Sequence, residues 1–243
     1  MRKLLLLLLT VSIGIATQAQ TTRYRFELAA EGGPGFSYIY GAGAKQLKKQ
    51  SPLLSYTTGL GLRYNTPKVA GIYTGVYIER KGFDWPIAGA TADGKSKTLH
   101  YYAQYNYVTI PVMINATVGK KVQFFVNAGG YVSALFRIHT FQKELGINNV
   151  NPGGYQYVDA GFSGGVGLRV PFARGFVFSL EARNSTGFMK VIKNTERKDA
   201  FYNTNTTFIA GIAYSFKPSI KKNKPQHPLR DYFYTITYPY SNK

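Results

Sequence analysis

The sequence predicts an all-β protein, an eight-stranded antiparallel up-and-down transmembrane β-barrel, and three observations carry that expectation. Segments that alternate large apolar residues with small or polar ones recur eight times along the chain. The links between them are alternately long and short. Finally, 20 Tyr, 16 Phe and 26 Gly stand among 243 residues that include no Cys. Gly weakens an ordinary strand but suits the crowded interior of a narrow barrel, and aromatic side chains mark the two edges of a membrane-spanning band.

The N-terminus sets the compartment. Arg2 and Lys3 precede an apolar run from Leu4 to Leu9, and Thr17-Gln18-Ala19 supplies the small residues of a signal-peptidase site. Residues 1–19 are therefore expected to be a cleaved signal peptide, residues 20–216 the barrel, and residues 217–243 a basic, Pro-containing periplasmic tail. No later apolar run reaches the roughly 18 residues of a membrane-spanning helix, so only a closed barrel could cross a bilayer. Absence of Cys excludes disulfides, a lipid-bearing cysteine and thiol-based metal or catalytic motifs. Losing Arg2 and Lys3 with the leader lowers the formal charge from +19 to +17. That charge is scattered over loops of an exported chain, which points to lipid phosphates and lipopolysaccharide as counter-ions and not to nucleic acid.

Taken in order, the strand segments are Tyr24–Tyr40, Leu53–Tyr64, Gly71–Lys81, Tyr101–Val118, Val122–Ile138, Tyr155–Val170, Phe176–Thr186 and Thr206–Phe216. No segment of helical period interrupts them. In the last, Phe208, Ala210, Ile212, Tyr214 and Phe216 fall on one face and Ile209, Gly211, Ala213 and Ser215 on the other. The fifth sets Val122, Phe124, Val126, Val132 and Phe136 against Gln123, Asn127, Tyr131 and Ser133. The sixth opposes Phe162, Val166 and Leu168 to Asp159, Ser163 and Arg169, and the seventh opposes Phe176, Phe178 and Leu180 to Ser179, Glu181 and Arg183. The same parity places Glu27 and Glu31 of the first segment, Arg63 of the second and Glu79 of the third on the inner side. Glu27, Glu31, Glu79, Asp159 and Glu181 are thus expected to interleave with Arg63, Arg169 and Arg183 as a lumen ion network. In a soluble sandwich the same face would be solvated exterior. The leader and the aromatic segment ends argue for the barrel.

Short links at Asn65–Ala70, Gly119–Lys121 and Pro171–Gly175 read as periplasmic turns. Long ones at Gly43–Pro52, Gly82–His100, His139–Gly154 and Gly187–Asn205 read as external loops. Lys48, Lys95 and Lys193 on these loops are expected to face lipid A.

The chain resembles the PorT-like outer-membrane β-barrel family of Gram-negative bacteria. The resemblance rests on Tyr105-Asn106-Tyr107-Val108-Thr109-Ile110-Pro111, on Phe125-Val126-Asn127-Ala128-Gly129-Gly130-Tyr131 and on Asp159-Ala160-Gly161-Phe162-Ser163-Gly164-Gly165. Glu79-Arg80-Lys81-Gly82-Phe83 and Ser179-Leu180-Glu181-Ala182-Arg183 add to it. It covers about residues 24–216 and implies an eight-stranded barrel and, as in the namesake member, a part in type IX protein secretion. The chain departs from the usual pattern by continuing past Phe216, and the tail is expected to be a linker or a docking segment for a periplasmic or secretion-system protein.

No catalytic, cofactor-binding or metal-binding motif is present, and a non-enzymatic role in envelope structure or secretion is expected. The alternative is a rim-active outer-membrane hydrolase or acyltransferase acting on lipid A or peptides. It would use His100 and His139 with Asp84 and Ser133, since that chemistry needs a base, its orienter and a nucleophile.

Overall fold

The computed structural model describes residues 25–47, 50–66, 69–90, 96–142, 146–193, 196 and 199–216. The expected leader and tail, with Lys48 and Lys95, lie outside the described residues. Strands β1 (Arg25–Tyr40), β2 (Ser51–Asn65), β3 (Ala70–Ala90), β4 (Ser96–Gly119) and β5 (Gln123–Gln142) run up and down in sequence. They are followed by β7 (Val158–Ala173), β8 (Phe176–Gly187) and β9 (Tyr202–Phe216). Each pairs antiparallel with its neighbours, β4 pairs with β5, and β9 returns to β1, so eight strands form a closed ring. A short strand β6 (Ile147–Val150) is added to the end of β5, and a five-residue helix α1 (Ala42–Gln46) follows β1.

Several elements differ from the sequence reading, β6 within the link His139–Gly154 among them. Gly82–His100 is largely strand, because β3 and β4 continue as a hairpin paired out to Ala90 and Ser96. Gly82 marks a bend within it: at φ 153° it lets the Ala103 carbonyl approach where a Cβ would stand. Beyond that bend Phe83, Trp85 and Ile87 lie opposite Ala103, Tyr101 and Leu99, cross-strand pairs that favour extended pairing. The long link after β1 contains α1. Tyr155 makes only an isolated bridge to Ile192, so the strand expected from Tyr155 begins at Val158, whereas the last strand begins earlier, at Tyr202.

Alternation governs the two faces. On β4 the outward residues Val108, Ile110, Val112, Ile114, Ala116 and Val118 make an apolar file, with Ile114 69 % exposed, while Tyr107, Thr109, Met113 and Asn115 are buried inside. Ten residues at about 3.3 Å each, tilted by roughly 40°, rise about 25 Å, the height of a membrane-facing band. Aromatics edge the band. Phe26, Tyr64 and Phe216 cluster at the short-turn end, with ring centroids 4.9 and 6.0 Å apart, and Tyr40 meets Tyr202 at the other end.

The interior of eight strands is narrow, and small residues make room for large ones. A Cβ on Gly61 would stand 2.6 Å from the Tyr77 hydroxyl, and one on Gly167 would stand 2.6 Å from Phe125 Cζ. The glycine and tyrosine content therefore has a common cause: tyrosines fill the lumen, and glycines on facing strands accept them.

Candidate functional site: the filled lumen and its closed mouth

The ionisable side chains inside are stacked along the barrel axis. Nearest the short turns, Glu27 forms an ion pair with Arg169, while Arg63, directly opposite Glu27 in register, lays its guanidinium over the rings of Tyr73 and Phe125 at 5.2 and 4.9 Å. Arg63 Nη1 is buried without a hydrogen bond among the described residues. In the middle layer Arg183 donates to both oxygens of Glu181, from Nε at 3.0 Å and from Nη2 at 2.7 Å, and to the Tyr73 hydroxyl at 3.0 Å. Glu31 accepts from Tyr73 and, at 2.7 Å, from Tyr77, and lies 3.9 Å from Arg183. Asn127 closes this layer by donating to Glu181 at 2.9 Å. Above it, Lys81 Nζ lies 3.1 Å from Asp159 and 3.7 Å from Glu79 and faces the Tyr131 ring at 4.3 Å. Thr109 donates to Glu79 and Tyr131 to Asp159, both at 3.0 Å.

All eight charged residues assigned to the interior by parity are therefore buried together. The sequence reading missed Lys81, which is wholly buried, although its spacing of two from Glu79 gave the signal. It also missed the tyrosine hydroxyls, because aromatics suggested the membrane edges. Little space remains. The cavity beside Glu31, Arg63 and Tyr73 is about 10 Å³, room for one water at most. A vestibule of about 130 Å³ opens at the short-turn end beside Glu27 and Arg169.

At the long-loop end the mouth is closed by residues far apart in sequence. Tyr101, Ala103, Tyr105, Leu135 and Ile138 line the wall, and Tyr155, Val191, Ile192 and Phe201 pack into them from the loops. Backbone bonds hold this cap: Val191 donates to Phe201 at 2.9 Å, Gln156 to Val191 at 2.8 Å, and Gly43 of α1 to Ala200 at 3.2 Å. Burial, reinforced by Tyr101, pushes the Tyr155 hydroxyl up to about 12. Lys193 is exposed on this cap, its ammonium 4.4 Å from the Tyr157 ring.

The residues considered for hydrolysis are not brought together. His100 Nδ1 lies 3.0 Å from both oxygens of Asp84, but Ser133 is buried in the lumen at 2.7 Å from Thr109 Oγ1. Ser133 lies opposite Thr109, nine residues along β4 from His100 and so about 30 Å away at the rise of an extended strand. His139 contacts Asn148 at 2.5 Å. Among the described residues no group of three His, Cys, Asp or Glu side chains is placed to hold a metal ion, and no helix is long and apolar enough to cross a membrane.

A closed antiparallel ring with an apolar exterior, aromatic edges and charges sealed inside defines a small integral barrel of the outer membrane. The chain belongs to the outer membrane protein beta-barrel domain family, whose model matches residues 18–193. No curated protein matches the sequence. Among solved structures the chain is similar to Neisserial surface protein A, at 10 % identity over 79 % of this chain and 97 % of that one, with a TM-score of 0.46. It is also similar to Ail, the attachment invasion locus protein of Yersinia pestis (13 % identity, 80 % and 100 % coverage, TM-score 0.42). OprG of Pseudomonas aeruginosa is a third such structure (12 % identity, 82 % and 99 % coverage, TM-score 0.41).

Proposed function

We propose that the protein is a non-enzymatic, non-conducting barrel that serves in envelope structure or as an accessory to protein secretion of the type IX kind. The observation that carries this reading is the filled interior: ion pairs and tyrosines occupy the lumen, and loop residues cover its mouth. A porin needs a water-filled channel, and a hydrolase needs its nucleophile within reach of its base. The PorT-like motifs around Tyr105–Pro111 and Asp159–Gly165 support the secretion role. On this reading both termini are periplasmic and the long loops external. Lys48, Lys95 and Lys193 then meet lipid A phosphates, and the tail at 217–243 meets a periplasmic or secretion-system protein.

Crosslinking from cysteines placed in the tail and loops, in the native envelope, tests the role. Capture of a secretion component through the tail supports the accessory function. Lipopolysaccharide alone supports envelope structure. In planar bilayers the purified barrel should show no steady single-channel currents, and porin-like steps would refute the closed lumen. Replacing His100 and His139 should leave lipid A composition unchanged, whereas an altered lipid A would favour the hydrolase or acyltransferase.

A further inference from the structure

The outer wall carries a polar row where the apolar band ends. Tyr56 of β2, Arg80 of β3, Asn106 of β4 and Arg137 of β5 are successive cross-strand partners, so the four lie side by side across adjacent strands. All face outward, since Glu79, Lys81, Tyr105, Tyr107 and Ile138 beside them in sequence are buried inside. One step towards the short turns, the same face is apolar, with Ile78 and Val108 exposed. One step the other way stand Gln104 and His139, which with the row and Phe136 line a cavity of about 270 Å³.

Three features make this a built site and not a scatter of surface charge. Arg80 stacks on Tyr56, guanidinium to ring centroid 4.7 Å, and its Nε is buried without a hydrogen bond among the described residues. A register shift between Asn106 and Tyr107 makes Phe136 a bulged residue, and that extra residue is what turns Arg137 outward beside Asn106. Asn106 is itself buried on the outer wall and lines the same cavity. Among the described residues neither Arg80 nor Arg137 has a carboxylate partner. The acidic residue further along this face of β3, Asp84, is held by His100.

We propose that Arg80, Asn106 and Arg137 bind a phosphate group of a lipid A molecule packed against the barrel wall. Two strand spacings separate the arginine Cα atoms by about 10 Å, within the span of two side chains converging on one phosphate. Guanidinium groups bind phosphate through paired N–H donors, and the Asn106 amide adds another. The apolar file below, from Val108 to Val118, takes the acyl chains. The height agrees, because a band about 25 Å tall ends at head-group level. A free anion would have no use for that file, so the ligand is an amphiphile. The site rests on the reading that the long loops face outward, and it is separate from the lysines carried on those loops.

The test is native mass spectrometry of the full exported chain in detergent, titrated with bis-phosphorylated lipid A, with chemically dephosphorylated lipid A and with inorganic phosphate. The wild type should retain bis-phosphorylated lipid A at least about tenfold better than the dephosphorylated form, a difference matching one lost charge-assisted contact. R80Q/R137Q should abolish that preference, R137K should keep part of it, and K120Q/K121Q at the opposite end should leave it intact. R137Q alone, at an exposed position, guards against misfolding of the double variant, and heat-modifiable gel migration checks that each barrel is closed. Equal retention of both lipids by the wild type, an unchanged preference in R80Q/R137Q, or competition by inorganic phosphate at the same concentration would overturn the proposal. Surface labelling of a cysteine at Lys120 in whole cells would reverse the assumed orientation without changing binding in detergent, so the two failures are distinguishable.

Discussion

Arg183→Leu is the perturbation that most directly tests the filled lumen. Arg183 and Glu181 side chains are 2 % and 3 % exposed, and the arginine also serves Glu31 and the Tyr73 hydroxyl. Removing it leaves Glu181 with Asn127 and leaves Glu31 with its two tyrosines, in a space holding no more than one water nearby. Breaking a buried pair by removing one partner costs about 3–5 kcal/mol, and the dryness of this layer places the expected loss at the upper end of that range. Glu181→Gln should cost less, because Arg183 keeps Glu31 and Tyr73. The double variant should be more stable than the sum of the single losses implies, with a coupling of about 0.5–3 kcal/mol. Urea unfolding in lipid vesicles, followed by tryptophan fluorescence and gel migration, measures all four proteins. Losses that add within about 0.5 kcal/mol would show that the two groups do not interact. Losses near zero for both would show that this face is wet.

Lys81→Met removes the cation shared by Glu79 and Asp159, and should destabilise by about 3–5 kcal/mol in the same unfolding assay. Gly61→Val should lower stability by about 1–3 kcal/mol through overpacking against Tyr77, and a Gly61→Val/Tyr77→Phe pair should recover part of the loss. Cysteines at Lys48, Lys95 and Lys193 should react with an impermeant thiol reagent on intact cells, while cysteines at Lys68 and Lys120 should react only after the outer membrane is opened. The raised pKa of Tyr155 has a definite sign: burial favours its neutral form, so its contribution to the cap is complete below the unfolded value near 10 and is lost as pH rises towards 12. Phenolate absorbance gained between about pH 10 and 12 should be smaller in Tyr155→Phe by the amplitude of one tyrosine, and loop proteolysis should accelerate over the same interval.

Much of this was legible because a strand's period of two is a local property. Glu27, Glu31, Arg63, Glu79, Asp159, Arg169, Glu181 and Arg183 could be placed inside from parity alone, and the alternation of link lengths gave the up-and-down order. What depended on contacts between distant strands was not legible. Gly82 after Lys81 signals a strand end in the sequence, yet in the structure it bends β3 without ending it. The cap could not be foreseen, since Tyr155 meets Val191 and Phe201 only after two links distant in sequence are brought to one rim. Arg137 shows the limit most clearly. Strict alternation from Val132 and Phe136 would turn Ile138 outward and Arg137 inward, but the bulge opposite Asn106 reverses both, and a bulge leaves no mark in the composition of one strand.

The seam between β1 and β9 joins Phe26 to Phe216, across nearly the whole described chain. It can form only when the last strand arrives, and it could in principle form one residue out of step. Such a slip would turn Phe208 and Ile212 of β9, now outside, into the lumen beside Glu31, and would turn the buried Asn203, Asn205 and Thr207 out towards lipid, where unpaired polar groups are costly. Ser55 would lose Asn205, and Ser37 would lose the Thr204 carbonyl. The buried polar side chains of β9 thus serve as a registration key: the final strand can be added last and still has a single position in which it locks.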